Sequence, residues 1–196
     1  MSFKSILTVS LLPALFIVSI ARAADYEVDP AHSEVGFSVK HMAISTVKGH
    51  FAKFSGTFNF DPESGKLGNN KFDVDVTSID TGNSKRDDHL KSPDFFDAAK
   101  YPTITLTNSK IKKTGNAKYE WTADMNMHGV TKPVTFDVTY NGSAKGMEGK
   151  MHAAFSAKTV IKRSEWGLKW NKTLEAGGLM VSDDVNLTVE VEAAQK

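Results

Sequence analysis

From Lys118 to His128 every second residue is apolar: Tyr119, Trp121, Ala123, Met125 and Met127 alternate with Lys118, Glu120, Thr122, Asp124, Asn126 and His128. Side chains along a strand point alternately to opposite faces, so this segment reads as a strand with one dry face and one wet face. Val35, Phe37 and Val39 alternate in the same way with Glu34, Gly36, Ser38 and Lys40, and Phe54, Phe58 and Phe60 with Lys53, Ser55, Thr57 and Asn59. The pattern predicts strands at Tyr26–Val28, Ser33–Met42, Val47–Asp61, Lys71–Asp80, Thr103–Lys112, Lys118–His128, Lys132–Tyr140, Gly149–Lys162 and Val185–Glu192. Between them stand turn signals: Asp61-Pro62 with Gly65, Gly68-Asn69-Asn70, Gly115-Asn116, Asn141-Gly142 and Gly146. Long strands joined mostly by short turns form an antiparallel meander. Such a chain hides its dry faces in a sandwich or a closed barrel. About eight strands close a barrel whose interior is just wide enough for packed side chains or one small ligand.

Two stretches leave the alternation. Between Thr81 and Pro102 a helical pattern takes over: Ser84 stands as an N-cap with Asp87 three residues on, and Ser92-Pro93-Asp94 sets a cap before a first-turn proline. This predicts two short helices carrying Leu90, Phe95 and Phe96 towards one end of the barrel. From Ser164 to Asp183 the residues Trp166, Gly167, Trp170, Leu174 and Gly177-Gly178 follow no regular period. A loop of that length is often functional, and an extra edge hairpin is the plainer alternative.

The first 23 residues stand apart from this architecture. Lys4 gives a positive start, Ile6 to Ile20 is a largely apolar run, and Ala21-Arg22-Ala23 has the small-x-small form of a cleavage site, which together read as a signal peptide. The run is about 15 residues, short of the roughly 20 that span a bilayer, so no integral membrane segment is expected after cleavage. Removing Lys4 and Arg22 turns 24 basic and 23 acidic residues into 22 and 23. A near-neutral chain of this kind lacks the basic stripe of nucleic-acid binders, so no nucleic-acid partner is expected. Cysteine is absent, which excludes disulfides, thiol catalysis and thiolate metal sites. One domain, residues 24–196, held by core burial alone, is the economical reading.

Local catalytic chemistry is missing. The histidines at 32, 41, 50, 89, 128 and 152 show no ligand spacing on a helix, and there is neither a nucleophile elbow nor a phosphate loop. Histidines from separate strands can still converge on a metal, so the spacing excludes local motifs only. Asp87-Asp88 and Asp183-Asp184 are adjacent acids, which on a turn or helix start point apart and read as solvated. No catalytic residue, metal site or cofactor is expected.

The chemistry that is present lies on the dry faces. Phe37, Val39, Phe54, Phe58, Phe60, Phe72, Val74, Val76, Ile104, Leu106, Trp121, Met125, Met127, Phe136, Val138 and Phe155 occupy the inward register and are the candidate apolar lining. Such a set either packs solid or walls a pocket. Small or adaptable inward positions, namely Gly56, Ala153, Ala157 and the methionines, and the two covering breaks favour the pocket. Candidate head-group residues stand where a dry face meets a break. His41 ends the Val35-Phe37-Val39 register, Arg163 and Trp166 open the long loop, and Arg86 and His89 lie in the first covering helix. An arginine at a pocket mouth can pair bidentately with a phosphate. Each of these residues, taken singly, reads more readily as a surface or salt-bridged side chain, and it is their joint placement at the breaks that makes them candidates.

The stretch Ser78-Ile-Asp-Thr-Gly-Asn-Ser-Lys-Arg-Asp-Asp-His-Leu-Lys-Ser-Pro-Asp-Phe-Phe-Asp-Ala-Ala-Lys-Tyr-Pro102 closely resembles the signature of the YceI-like family of exported, lipocalin-like proteins. Asp29-Pro-Ala-His-Ser-Glu-Val-Gly-Phe37, His128-Gly-Val-Thr-Lys-Pro133 and Arg163-Ser-Glu-Trp-Gly167 are similar to its other landmarks. The resemblance implies an all-β, eight-stranded antiparallel barrel with short helices and a long loop covering an end. It also implies a periplasmic location, a long polyisoprenoid or other amphiphilic lipid inside and a plausible homodimer, and it does not imply a reaction. A binding protein for a quinone-class or polyprenyl-phosphate-class lipid is therefore expected. The alternatives are a filled barrel acting in stress or interaction without a ligand, and an accessory of quinone-linked electron transfer.

Overall fold

Backbone pairing runs antiparallel from each strand to the next until the last strand meets the first. The computed structural model describes residues 23–61, 64–174 and 177–196. The signal-peptide reading, apart from Ala23, and the Pro62 turn signal fall outside the described residues. The strands are β1 (Ala24–Val28), β2 (Glu34–His41), β3 (Ser45–Phe51), β4 (Phe54–Asp61), β5 (Lys66–Asp75), β6 (Ile79–Asp80), β7 (Thr103–Gly115), β8 (Lys118–Met127), β9 (Val130–Lys145), β10 (Met151–Lys162) and β11 (Val181–Gln195).

Three pairs of these are single strands with a kink. A 3₁₀ turn at Pro30–His32, capped by the Asp29 side chain, parts β1 from β2, and both pair with β11. Ala52 and Lys53 part β3 from β4, which pair with β2 and β1 in turn. A second 3₁₀ turn, Val76–Ser78, parts β5 from β6. Three kinked strands and five unbroken ones make the eight-stranded antiparallel barrel that the family resemblance implies, in chain order and closed between β1–β2 and β11. Closure leaves no bare edge along that seam, so the backbone groups there are satisfied without a partner protein.

The two breaks cover the same end. The first holds one helix, α1 (Ser84–Lys91), whose N-cap is Asn83 rather than Ser84: the Asn83 side chain accepts from the Arg86 amide. The second predicted helix is instead a string of turns, with Phe95 N–H on Ser92, Phe96 N–H on Leu90 and Tyr101 N–H on Asp97. The long loop is a 3₁₀ turn at Arg163–Trp166 followed by irregular chain, with a single bridge between Thr173 and Leu179. That bridge is a rudiment of the edge hairpin, and β11 already begins at Val181. No helix among the described residues is long and apolar enough to cross a membrane.

The opposite end is plugged by aromatic rings. Phe60 is 1% exposed, with ring centroids 6.0 Å from Tyr119, 5.6 Å from Tyr140 and 5.1 Å from Phe155. Edge-to-face and tilted ring pairs of this kind add to the burial of large apolar surfaces. Beside them Ala153 and Ala193 face each other across β10 and β11 with no exposed surface to spare. Replacing Phe60 by alanine is expected to lower unfolding stability by about 3–5 kcal/mol, read from the urea midpoint, because three rings would border the void.

Candidate functional site

Between the aromatic floor and the covered end the barrel is hollow. Phe37, Val39, Phe54, Phe72, Leu106, Trp121, Phe155, Leu187 and Val189 point inward yet are only half-buried, whereas Phe58, Met125, Met127 and Phe136 beside them are fully buried. An inward side chain that is half-buried borders open space. That space is a cavity of about 250 Å³. Its cover is made by Leu90, Phe95 and Phe96 from the first break and by Leu168 and Val181 from the second.

Of the residues predicted as apolar lining, all but Val76 border this cavity. Val76 lies in the 3₁₀ turn between β5 and β6 and is 1% exposed, packed into the surrounding core. Gly56 does not open space either. A side chain there would overlap the Phe72 ring, which lies over the glycine and fills its place. Ala153 belongs to the packed seam, while Ala157 does face the cavity.

Strand bulges hid part of the lining. Asn108 adopts a left-handed φ of 50°, and the β7–β8 register shifts between Thr107 and Lys110. One added residue inverts the inward parity, so Ile111 lines the cavity although the period from Ile104 and Leu106 places it outside. Leu67 is displaced in the same way ahead of Asn69, whose φ is 37°. Phe51 and Leu168 were also missed; Phe51 continues a Val47-Gly49-Phe51 alternation that could have disclosed it.

The cavity wall has almost no polar character. Among the described residues no histidine and no acidic residue lines it, and Arg163 is the single charged residue that does. Trp121 contributes an indole N–H with no acceptor among the described residues, set between the rings of Phe72 and Phe136. The other candidate head-group residues lie elsewhere. His41 stays at the β2–β3 tip, outside the lining. Arg86 donates to the Thr81 hydroxyl at 2.7 Å and to the Thr81 carbonyl at 2.8 Å. His89 pairs with Asp94 at 3.0 Å, and its ring meets Phe95 and Trp170 edge-on at 5.0 and 4.9 Å. Trp166 is buried and donates its indole N–H to the Met125 carbonyl at 3.3 Å.

Arg163 organises the second cover. Its guanidinium donates to the carbonyls of Ser182 at 2.9 Å, Leu168 at 2.6 Å and Val181 at 3.5 Å, so both ends of the loop are gathered onto one buried side chain. Burial pulls its pKa below the usual guanidinium range, and Asp183 opposes that pull. The adjacent acids do point apart, but neither pair is wholly solvated. Asp87 is buried and accepts from the Thr81 amide and hydroxyl, while Asp88 pairs with Lys91. Asp183 accepts from the Ser164 amide at 2.9 Å and hydroxyl at 2.7 Å, while Asp184 pairs with Lys162.

Burial raises the Asp183 carboxyl, yet the two Ser164 donors, Arg163 and Lys162 outweigh it, and its pKa lies below the ordinary 3.8. A depressed carboxyl contributes stability that is present above its unfolded pKa and is lost as pH falls through the folded value. Amide protection around Ser164, taken against the intrinsic exchange rate at each pH, should therefore fall below about pH 4, and Asp183→Asn should remove that dependence, as read by hydrogen exchange.

The comparisons with known proteins agree with this architecture. A YceI-like domain matches residues 26–193. The protein YceI of Escherichia coli O157:H7 is 34% identical over 195 residues, covering 98% of each chain. The crystal structure of the Campylobacter jejuni YCEI protein is 40% identical, covers 86% of this chain and 96% of its own, and superposes with a TM-score of 0.70. A Saccharophagus degradans domain described as polyisoprenoid binding is 15% identical, with coverage of 89% and 100% and a TM-score of 0.65, a likeness of fold. The chain belongs to the YceI-like family.

Proposed function

We propose that this chain is a binding protein, exported to the periplasm, that holds the apolar part of an isoprenoid or another amphiphilic lipid inside the barrel. The observation that carries the reading is the ring of inward side chains left half-buried around about 250 Å³ of apolar space. Protein interiors ordinarily pack like organic crystals, and a void in them costs stability. A solid core, the competing reading of the same residues, would not leave that space.

The wall chemistry selects the ligand class. Sugars, nucleotides and peptides would lose hydration without finding partners along this lining, at a cost of kcal/mol for each unpaired polar group. Arg163 offers limited compensation, because its Nε and both terminal nitrogens already donate to carbonyls of its own loop. A hydrocarbon tail meets no such cost. Aromatic faces and the adaptable side chains of Met125 and Met127 suit branched or unsaturated chains. Burying roughly 400 Å² of tail supplies on the order of 10 kcal/mol before association and ordering costs. The polar head, quinone or phosphate, lies towards the covered end. The leader-like residues 1–23 support export, and the polyisoprenoid binding described for the Saccharophagus domain supports the ligand class.

Native mass spectrometry of detergent-free protein from its own host should show an adduct of lipid mass, or one after incubation with an isoprenoid quinone or polyprenyl phosphate. Protein that carries none and takes up none would overturn the proposal. Ala157→Phe, which places a ring in the cavity, should weaken uptake about tenfold or more, equivalent to about 1.4 kcal/mol, while the far-UV circular dichroism stays that of a barrel.

A further inference from the structure

The outer face of the closing seam carries a cluster of side chains that the cavity does not use. Along β11 Val191 lines the cavity and Ala193 is fully buried, so Glu192 between them turns outward; on β10 the buried Ala153 leaves His152 outward in the same way. The 3₁₀ turn between β1 and β2 sets Asp29 and His32 over this spot. His32 Nδ1 lies 2.8 Å from Asp29 Oδ2, and His152 Nδ1 lies 2.8 Å from Glu192 Oε1. One ligand atom each from Asp29, His32 and Glu192 falls within 4.8 Å of the others.

The backbone beneath is held by bonds of its own as well as by the Asp29 cap on the Ala31 amide. The Asp29 amide donates to the Glu192 carbonyl at 2.8 Å. The Ser33 hydroxyl donates to the same carbonyl at 3.2 Å and accepts from the Glu192 amide at 2.9 Å. The cluster is therefore held in place by the seam itself. Among the described residues no lysine or arginine pairs with either carboxylate; the two imidazoles are their side-chain partners.

We propose that Asp29, His32 and Glu192 bind a zinc-class divalent cation across the barrel seam, with His152, now held on Glu192 Oε1 at 2.8 Å, turning in as the fourth ligand. Two imidazole nitrogens and two carboxylate oxygens suit that ion, which takes four such ligands at about 2.0–2.2 Å in a tetrahedron. Ligands so arranged stand about 3.3 Å apart, so each 2.8 Å nitrogen–oxygen pair opens by roughly 0.5 Å as the ion replaces the hydrogen bond. Calcium and magnesium fit poorly, since they take six or more oxygen ligands. The ion would bind the folded seam and not the open chain, and so would clamp the N-terminal strand to the C-terminal one. It sits outside the wall, so lipid uptake neither requires nor reports it.

Untagged protein stripped with chelator and titrated with ZnCl₂ near neutral pH tests the site. Calorimetry and native mass spectrometry should give one Zn²⁺ per chain, and the melting temperature should rise with the ion. His32→Ala and Glu192→Gln should each weaken binding about tenfold or more, with unchanged circular dichroism, whereas His50→Ala on β3 should leave it unaltered. No binding at about 0.1 mM Zn²⁺, or wild-type affinity in both His32→Ala and Glu192→Gln, overturns the proposal.

Discussion

Closure of the sheet is the constraint on which the rest depends. Once β1 and β2 pair along the length of β11, the number of strands sets the diameter, and the interior is a fixed volume that side chains must fill or leave open. Small residues do not by themselves decide which. Ala153 and Ala193 allow the seam to draw tight, and Gly56 receives the Phe72 ring, so the smallest inward positions are among the best filled. The opening arises one level higher, where Phe37 and its register partner Leu187, with Leu106 and Phe155, border the cavity without filling it.

The period-two alternation made the strands, the all-β character and most of the lining legible, because inward parity is a local property of each strand; the choice of barrel over sandwich rested on the family resemblance. It failed where the backbone inserts a residue. The bulge at Asn108 and the left-handed Asn69 reverse parity; no glycine marks the first, and Gly68-Asn69-Asn70, which reads as a turn between strands, is an irregularity inside β5. Val76 failed differently: it keeps inward parity but sits in a 3₁₀ turn, where parity no longer implies the cavity. Polar residues were the least legible. Arg86, His89 and Trp166 do gather at the covered end, as their placement at breaks implies, but their partners are Thr81, Asp94 and the Met125 carbonyl. Which acceptor a side chain finds is a tertiary fact with no period to betray it.

The two covers differ in what holds them. The 163–180 segment is tied to the barrel by Trp166 on the Met125 carbonyl, by His128 on the Trp166 carbonyl at 3.0 Å, and internally by Arg163. The α1 segment is pinned mostly to itself, through Asp87 and Arg86 on Thr81. Where the covers meet, the described contacts are rings: His89 and Phe95 against Trp170 at 4.9 and 5.1 Å. Ring pairs of that kind contribute about 0.5–1.5 kcal/mol each, without the penalty that follows when a buried carbonyl loses its donor. Parting the covers at this seam leaves every hydrogen bond of Arg163 intact. The seam is therefore the cheapest place to open the cavity, and its ring faces are a surface that a hydrocarbon chain can slide past without desolvating a polar group.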